Sequence, residues 1–170
     1  MSLSIDPRIS NIHPFYRIFL LYIEPILALS GAYLALFHPA KFLLGTAPSS
    51  LSTPFIPLTL TTPISTSTPQ PQPIDPVIQF LSANIGALYI LFAINEAIVL
   101  RLTRDYSVWK VVVFAMLVCD VGHIWGVYQA DPTGSLEVMR WTMEEWINNG
   151  ILAFGAVLRI AFLGGVGYRK

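Results

Sequence analysis

Residues 15–37 read FYRIFLLYIEPILALSGAYLALF, an apolar run broken near its middle by Glu24. A helix needs roughly 20 predominantly apolar residues to cross hydrocarbon, and this run has both the length and the composition. An ionised carboxylate near the centre of such a helix costs on the order of 2.5–3.5 kcal/mol even on a lenient insertion scale, so Glu24 has to be paired, protonated or put to use. The pattern returns three times. Runs at 77–101, 108–129 and 144–167 approach spanning length and carry Glu96, Asp120 and Arg159 in turn. The expected fold is all-α, an integral membrane four-helix bundle forming a single membrane domain over 1–170.

The whole chain agrees with that reading. Its 170 residues are 54% hydrophobic and 12% charged with a mean hydropathy of +0.61, too apolar for a soluble domain of this length. Formal net charge is zero and no basic stripe is present, which points away from nucleic acid. The single cysteine, Cys119, excludes an internal disulfide framework and a cysteine-only metal site. Asp6, Arg8, His13 and two prolines precede the first run, unlike a cleavable secretory signal, so that run reads as a retained span.

Between the first two spans, residues 38–76 hold eight prolines from Pro48 to Pro76 interleaved with serine and threonine. That composition predicts a long, flexible extramembrane loop without helix or central strand. Its middle, Phe55-Ile56-Pro57-Leu58-Thr59-Leu60, reads either as a disordered linker or as a segment resting on the membrane surface or capping a cavity. Alternating helices place both termini and the 102–107 loop on one side with Arg8, Arg17, Arg101, Arg104, Lys110, Arg169 and Lys170, against Lys41 and Arg140 on the other. The positive-inside rule then expects cytosolic termini. Tyr16, Tyr106, Trp109, Tyr128, Trp141, Trp146 and Tyr168 fall near span ends, where amphipathic rings settle among headgroups.

Helical spacing turns the isolated polar residues into faces. Glu24, Ala28, Gly31 and Ala35 share one stripe of the first span; Ser82, Gly86, Tyr89, Ala93 and Glu96 share one of the second. Asp120 and His123 lie one turn apart on the third span, in line with Met116 and Val127, and the fourth offers Asn148, Leu152, Gly155 and Arg159. Counting 1.5 Å per residue from the expected cytosolic ends puts Glu24, Glu96, Asp120 and Arg159 at depths of about 14, 8, 18 and 12 Å, within one slab in the cytosolic half of the membrane. A single arginine then offsets one acid and leaves another desolvated beside like charge. The outcome is a protonated acid next to an ionised one, the pairing that general acid–base chemistry uses. His123 serves in this reading as a base or as an orienter of Asp120. The competing reading is structural: intramembrane acids also pin helices together through hydrogen bonds. The Asp120/His123 pair lacks the third ligand of a catalytic zinc centre, and no phosphate-binding glycine loop, nucleophile elbow or zinc-protease motif occurs.

The strings Phe19-Leu20-Leu21-Tyr22-Ile23-Glu24-Pro25 followed by Gly31-Ala32-Tyr33, then Asn95-Glu96-Ala97 and Asp120-Val121-Gly122-His123, resemble the small four-span fungal membrane proteins of secondary-metabolite clusters. These include hydrolases and cyclases acting on citreoviridin- and aurovertin-type polyketides and, more distantly, terpene cyclases of the ascochlorin and ascofuranone kind. The resemblance covers most of the chain apart from the 38–76 loop. It implies opening of an epoxide on a lipophilic polyketide or terpenoid, by water or by an internal hydroxyl that closes an oxygen ring, in the endoplasmic reticulum membrane. No metal or redox cofactor is implied. The expected site is Asp120 and Glu24 as the acid–base pair, with Glu96 and His123 next to them and Arg159 as electrostatic organiser. Expected partners are a lipophilic small-molecule substrate and membrane lipid, with a homodimer or other biosynthetic enzymes also open. The alternative is a non-enzymatic membrane scaffold or lipid-binding protein in which the same charges form structural pairs.

Overall fold

The computed structural model describes residues 6–52 and 74–167. Four of its helices are long and apolar enough to cross a membrane, and no strand occurs among the described residues. The order is α1 (Pro7–Ser10), α2 (Pro14–Phe37), α3 (Pro39–Thr46), α4 (Ser49–Ser52), α5 (Pro76–Leu102), α6 (Tyr106–Ala130), α7 (Pro132–Leu136) and α8 (Met143–Leu163). The chain is a four-helix membrane bundle in which α2, α5, α6 and α8 are the spans.

Each span begins on a cap written in the sequence. His13 Nδ1 accepts from Phe15 N, Asp75 from Val77 N and Asp105 from Ser107 N, with Pro14 and Pro76 as first helical residues of α2 and α5. Proline suits that position because its missing N–H would be unpaired there in any case. Thr142 and Glu145 form a reciprocal capping box at the start of α8. That helix stops at Leu163, short of residue 167, where Gly165 and Gly167 take left-handed φ values of 75° and 79°.

The reading of 38–76 as loop throughout is corrected at its start. Residues Pro39–Thr46 and Ser49–Ser52 are helical. No proline interrupts the stretch between Pro39 and Pro48, and Pro39 stands at the first position of the helix. The segment Phe55–Leu60 lies outside the described residues.

The bundle is built from two helix pairs, α2 along α5 and α6 along α8. Gly86 of α5 lets α2 approach so closely that a β-carbon there would stand 2.7 Å from Leu36 Cγ. One end is solid. Ile9, Ile12, Tyr16, Phe19, Leu20, Leu100, Tyr106, Trp109, Val113 and Phe162 are buried together there, with the Phe162 ring against Tyr16, Tyr106 and Trp109. Tyr16, Tyr106 and Trp109 are therefore core residues, where the sequence reading set them among headgroups. The cause is the cover given by the segment before α2, whose Ile9 and Ile12 join the cluster and whose Asp6 N donates to Arg104 O at 3.0 Å, and by the turn after α8, where Val166 O accepts from Tyr16 Oη at 3.0 Å. Tyr128 and Trp146 are exposed, as membrane-facing rings would be, and Tyr168 lies outside the described residues. The outer faces of all four spans carry exposed apolar side chains such as Ile26, Phe80, Val111 and Val157.

Candidate functional site

Glu24 and Glu96 enter the bundle from two irregular turns. A π-helical turn, Phe19–Ile23, precedes Glu24, and a second, Asn95–Val99, contains Glu96. Such turns are rare and recur at functional sites. Pro25 has no N–H, so the Leu21 carbonyl four residues earlier loses its ordinary helical donor. Arg101 of α5 replaces it, donating from Nη2 to Leu21 O at 2.6 Å while its guanidinium carbon stands 4.3 Å from the centre of the Tyr22 ring. The two π turns pack against each other, which brings Glu96 beside Glu24.

Arg159 of α8 reaches back one turn and joins the two helix pairs. Its Nη1 donates to Asp120 Oδ2 at 2.5 Å and its Nη2 donates to Glu24 Oε1, while Nη2 also stands 3.8 Å from Glu96 Oε1. Glycine at 155 makes the room, because a β-carbon there would stand 2.7 Å from Arg159 Nη1 and 3.4 Å from Glu24 Oε1. Arg159, Asp120 and Glu96 are buried, Glu96 completely. Both Glu96 oxygens, Glu24 Oε2 and Arg159 Nε are buried without a hydrogen-bond partner among the described residues.

Above this cluster the helix pairs part around a cavity of about 410 Å³. Glu24, Asp120 and Arg159 form its floor, and Leu27, Leu34, Phe92, Met116, Ile151 and Leu152 line its wall. Ala28 and Gly31 of the small-residue stripe face this space, with the Tyr89 ring close against Gly31. Lys41 and Thr46 of α3 and Glu144 and Asn148 of α8 surround its other end. A small-molecule site is typically a largely apolar cleft of this size with a few convergent polar groups.

Of the five residues singled out by sequence, Glu24, Asp120, His123 and Arg159 line the cavity, and Glu96 lies behind Arg159 outside the lining. His123 faces the same space as Asp120, with no hydrogen bond between the two side chains among the described residues. Residues one turn apart share a helix face without their side chains having to touch. Lys41, Phe42 and Thr46, within the stretch that sequence composition reads as loop, also line the cavity. The signal for them was the proline-free stretch that follows Pro39.

Helix α3 lies at the cavity end, and α4 after it is tied to the ends of α6 and α8. Ser49 N donates to Glu145 Oε1 at 2.9 Å and Ser50 Oγ donates to Asp131 Oδ2 at 2.6 Å. The Ser50 hydroxyl first, then the Gly134 N–H, holds the Asp131 carboxyl below its ordinary value. A depressed carboxyl contributes stability above its unfolded pKa and loses it as pH falls through the folded one. Asp131→Asn, which fixes the uncharged state, should accordingly speed amide exchange across 39–52 several-fold at pH 7. The wild type should show the same loosening only in acid below the ordinary aspartate range. Unchanged exchange in the variant would mean that Asp131 does not hold that segment.

Residues 9–169 match the family described as a domain of unknown function, DUF7704, and the chain belongs to that family. No curated protein and no solved structure matches it.

Proposed function

We propose that this member of the DUF7704 family is a membrane-embedded acid–base enzyme that opens an epoxide in a lipophilic polyketide or terpenoid intermediate, by hydrolysis or by closure of an oxygen ring. The observation that carries the reading is that two carboxyl groups from different helix pairs, Glu24 and Asp120, sit on the floor of one apolar cavity with a single guanidinium between them. The resemblance of the Glu24-Pro25, Asn95-Glu96-Ala97 and Asp120-Val121-Gly122-His123 strings to fungal membrane hydrolases and cyclases supports the reaction class.

One cation against three carboxyls leaves two net negative charges if all ionise, a state that a dry interior disfavours strongly. The cluster therefore holds at least one proton. Asp120 and Glu24 both accept from Arg159, but only Glu24 lies against a second carboxyl, Glu96, with which it can share a proton; Asp120 is the ionised member and takes a proton from the attacking water or hydroxyl. Glu24, beside Glu96, delivers a proton to the epoxide oxygen as the carbon–oxygen bond breaks. The new carbon–oxygen bond forms from the nucleophile, and the proton on Asp120 returns to the Glu24/Glu96 pair through water in the cavity. The chemistry needs only a positioned acid and a positioned base, each worth typically 10²–10⁴-fold.

Charge bias between the two membrane faces and the resembled family support residence in the endoplasmic reticulum with cytosolic termini. The cavity would then open at the lumenal end, away from the packed aromatic end. In microsomes supplied with an epoxide-bearing polyene or terpenoid, Asp120→Asn and Glu24→Gln should each lower product formation by at least 10²-fold while the protein remains folded and at normal abundance. Full activity in both variants removes the acid–base assignment. The second reading, a scaffold, is favoured by the way Arg159 ties α2 to α6. It expects the same substitutions to reduce abundance and detergent stability, with no reaction to lose.

A further inference from the structure

The cavity has two polar ends, and only one is used by the chemistry above. At the far end stands Lys41, with no carboxylate oxygen among the described residues within 4.0 Å of its amine. It occupies the first turn of α3, where the positive helix terminus makes a cation unfavourable. Glu144, the other charge at this end, sits in the first turn of α8, where the same effect stabilises it. Lys41 is thus the charge at the mouth that its own helix leaves uncompensated.

Resting on the epoxide-opening reading, we propose that Lys41 binds an acidic group at the end of the substrate remote from the epoxide. The substrate class is then an elongated apolar molecule with an oxirane at one end and an ionised or strongly polarised oxygen function at the other. Its length follows from α8. The Arg159 guanidinium lies level with Gly155, whereas Asn148 and Glu144 beside the mouth are seven and eleven residues earlier. At 1.5 Å per residue these offsets correspond to about 10–17 Å between reacting end and acidic end. The wall between them is mostly apolar, with Tyr89, Cys119 and His123 as its polar members and no carboxylate, lysine or arginine.

Two synthetic probes of matched length test this: 11,12-epoxydodecanoate and its uncharged counterpart 1,2-epoxydodecane, assayed on the full chain in lipid nanodiscs. Wild type should favour the epoxy acid by about tenfold or more in kcat/KM, chiefly through KM. Lys41→Met should remove that preference, and Lys41→Arg should keep it. A preference that persists in Lys41→Met, or that is absent from wild type, overturns the role of Lys41, which would then merely reach the headgroup layer. If wild type opens neither epoxide, the epoxide-opening reading fails by itself. Native mass spectrometry of 11,12-epoxydodecanoate bound to wild type and Lys41→Met then decides the role of Lys41 separately: weaker occupancy in the variant supports it and equal occupancy rejects it.

Discussion

Arg159→Met should unfold or mispack the bundle, because it removes the cation between Asp120 and Glu24 and leaves two buried carboxyls and the half-buried Glu24 facing one another. Breaking a buried ion pair by deleting one partner costs about 3–5 kcal/mol, most of it the desolvation of the charge left behind. Here two acids lose their hydrogen-bond donor at once, and a third, Glu96, already lacks one. The observable results are loss of monodisperse protein on size exclusion in mild detergent and a large drop in thermal midpoint. Restoring neutrality is the control. The triple variant Arg159→Met, Glu24→Gln, Asp120→Asn should recover most of the stability, since replacing all charged partners of a buried network is often neutral. It should recover no activity. If Arg159→Met alone folds as well as wild type, the cluster is hydrated or otherwise neutralised, and the charge count behind the mechanism is wrong.

The two π turns mark the limit of what periodicity reveals. The four apolar runs and the capping residues at 13, 75, 105 and 142 determine where helices exist, because bilayer length and backbone pairing act locally. A face-by-face reading places Glu24, Asp120 and Arg159 on inward stripes, and in the fold these three side chains meet. Periodicity assumes an undisturbed 3.6-residue helix, and Pro25 disturbs it by freeing the Leu21 carbonyl that Arg101 captures. The Glu24-Pro25 pair was the visible sign of this irregularity. The fate of Tyr16 and Trp109 was not legible, since an amphipathic ring near a span end looks the same whether lipid or a folded-under terminal segment covers it. Only the docking of Asp6 onto Arg104 decides between them. Nor does spacing distinguish an acid in the cavity from one behind it. Glu96 and Glu24 share an interior, and the difference between lining and backing depends on where α8 lays its guanidinium.

That difference yields the sharpest expectation for Glu96. Glu96→Gln has nearly the same shape and is neutral, as the acid is when it carries the cluster's proton. The substitution should therefore leave the thermal midpoint close to wild type, in contrast to Arg159→Met. Activity is another matter. An amide at 96 cannot share a proton with Glu24, and Glu24, bonded to Arg159 Nη2 with no acidic neighbour to hold a proton beside it, settles as a carboxylate. Turnover should fall by about 10²-fold or more, the usual worth of a general acid, although residue 96 never touches the cavity. The fall should appear in kcat more than in KM, because the cavity wall that binds substrate is unaltered. A substrate whose epoxide opens without proton assistance, such as a strongly activated allylic or benzylic oxirane, should recover part of the loss. Wild-type turnover in Glu96→Gln would confine the acid to Glu24 alone and reduce Glu96 to a buried filler between helices. A collapse of stability with the activity would instead make Glu96 an ionised partner of Arg159, and the proton count would have to move to Asp120.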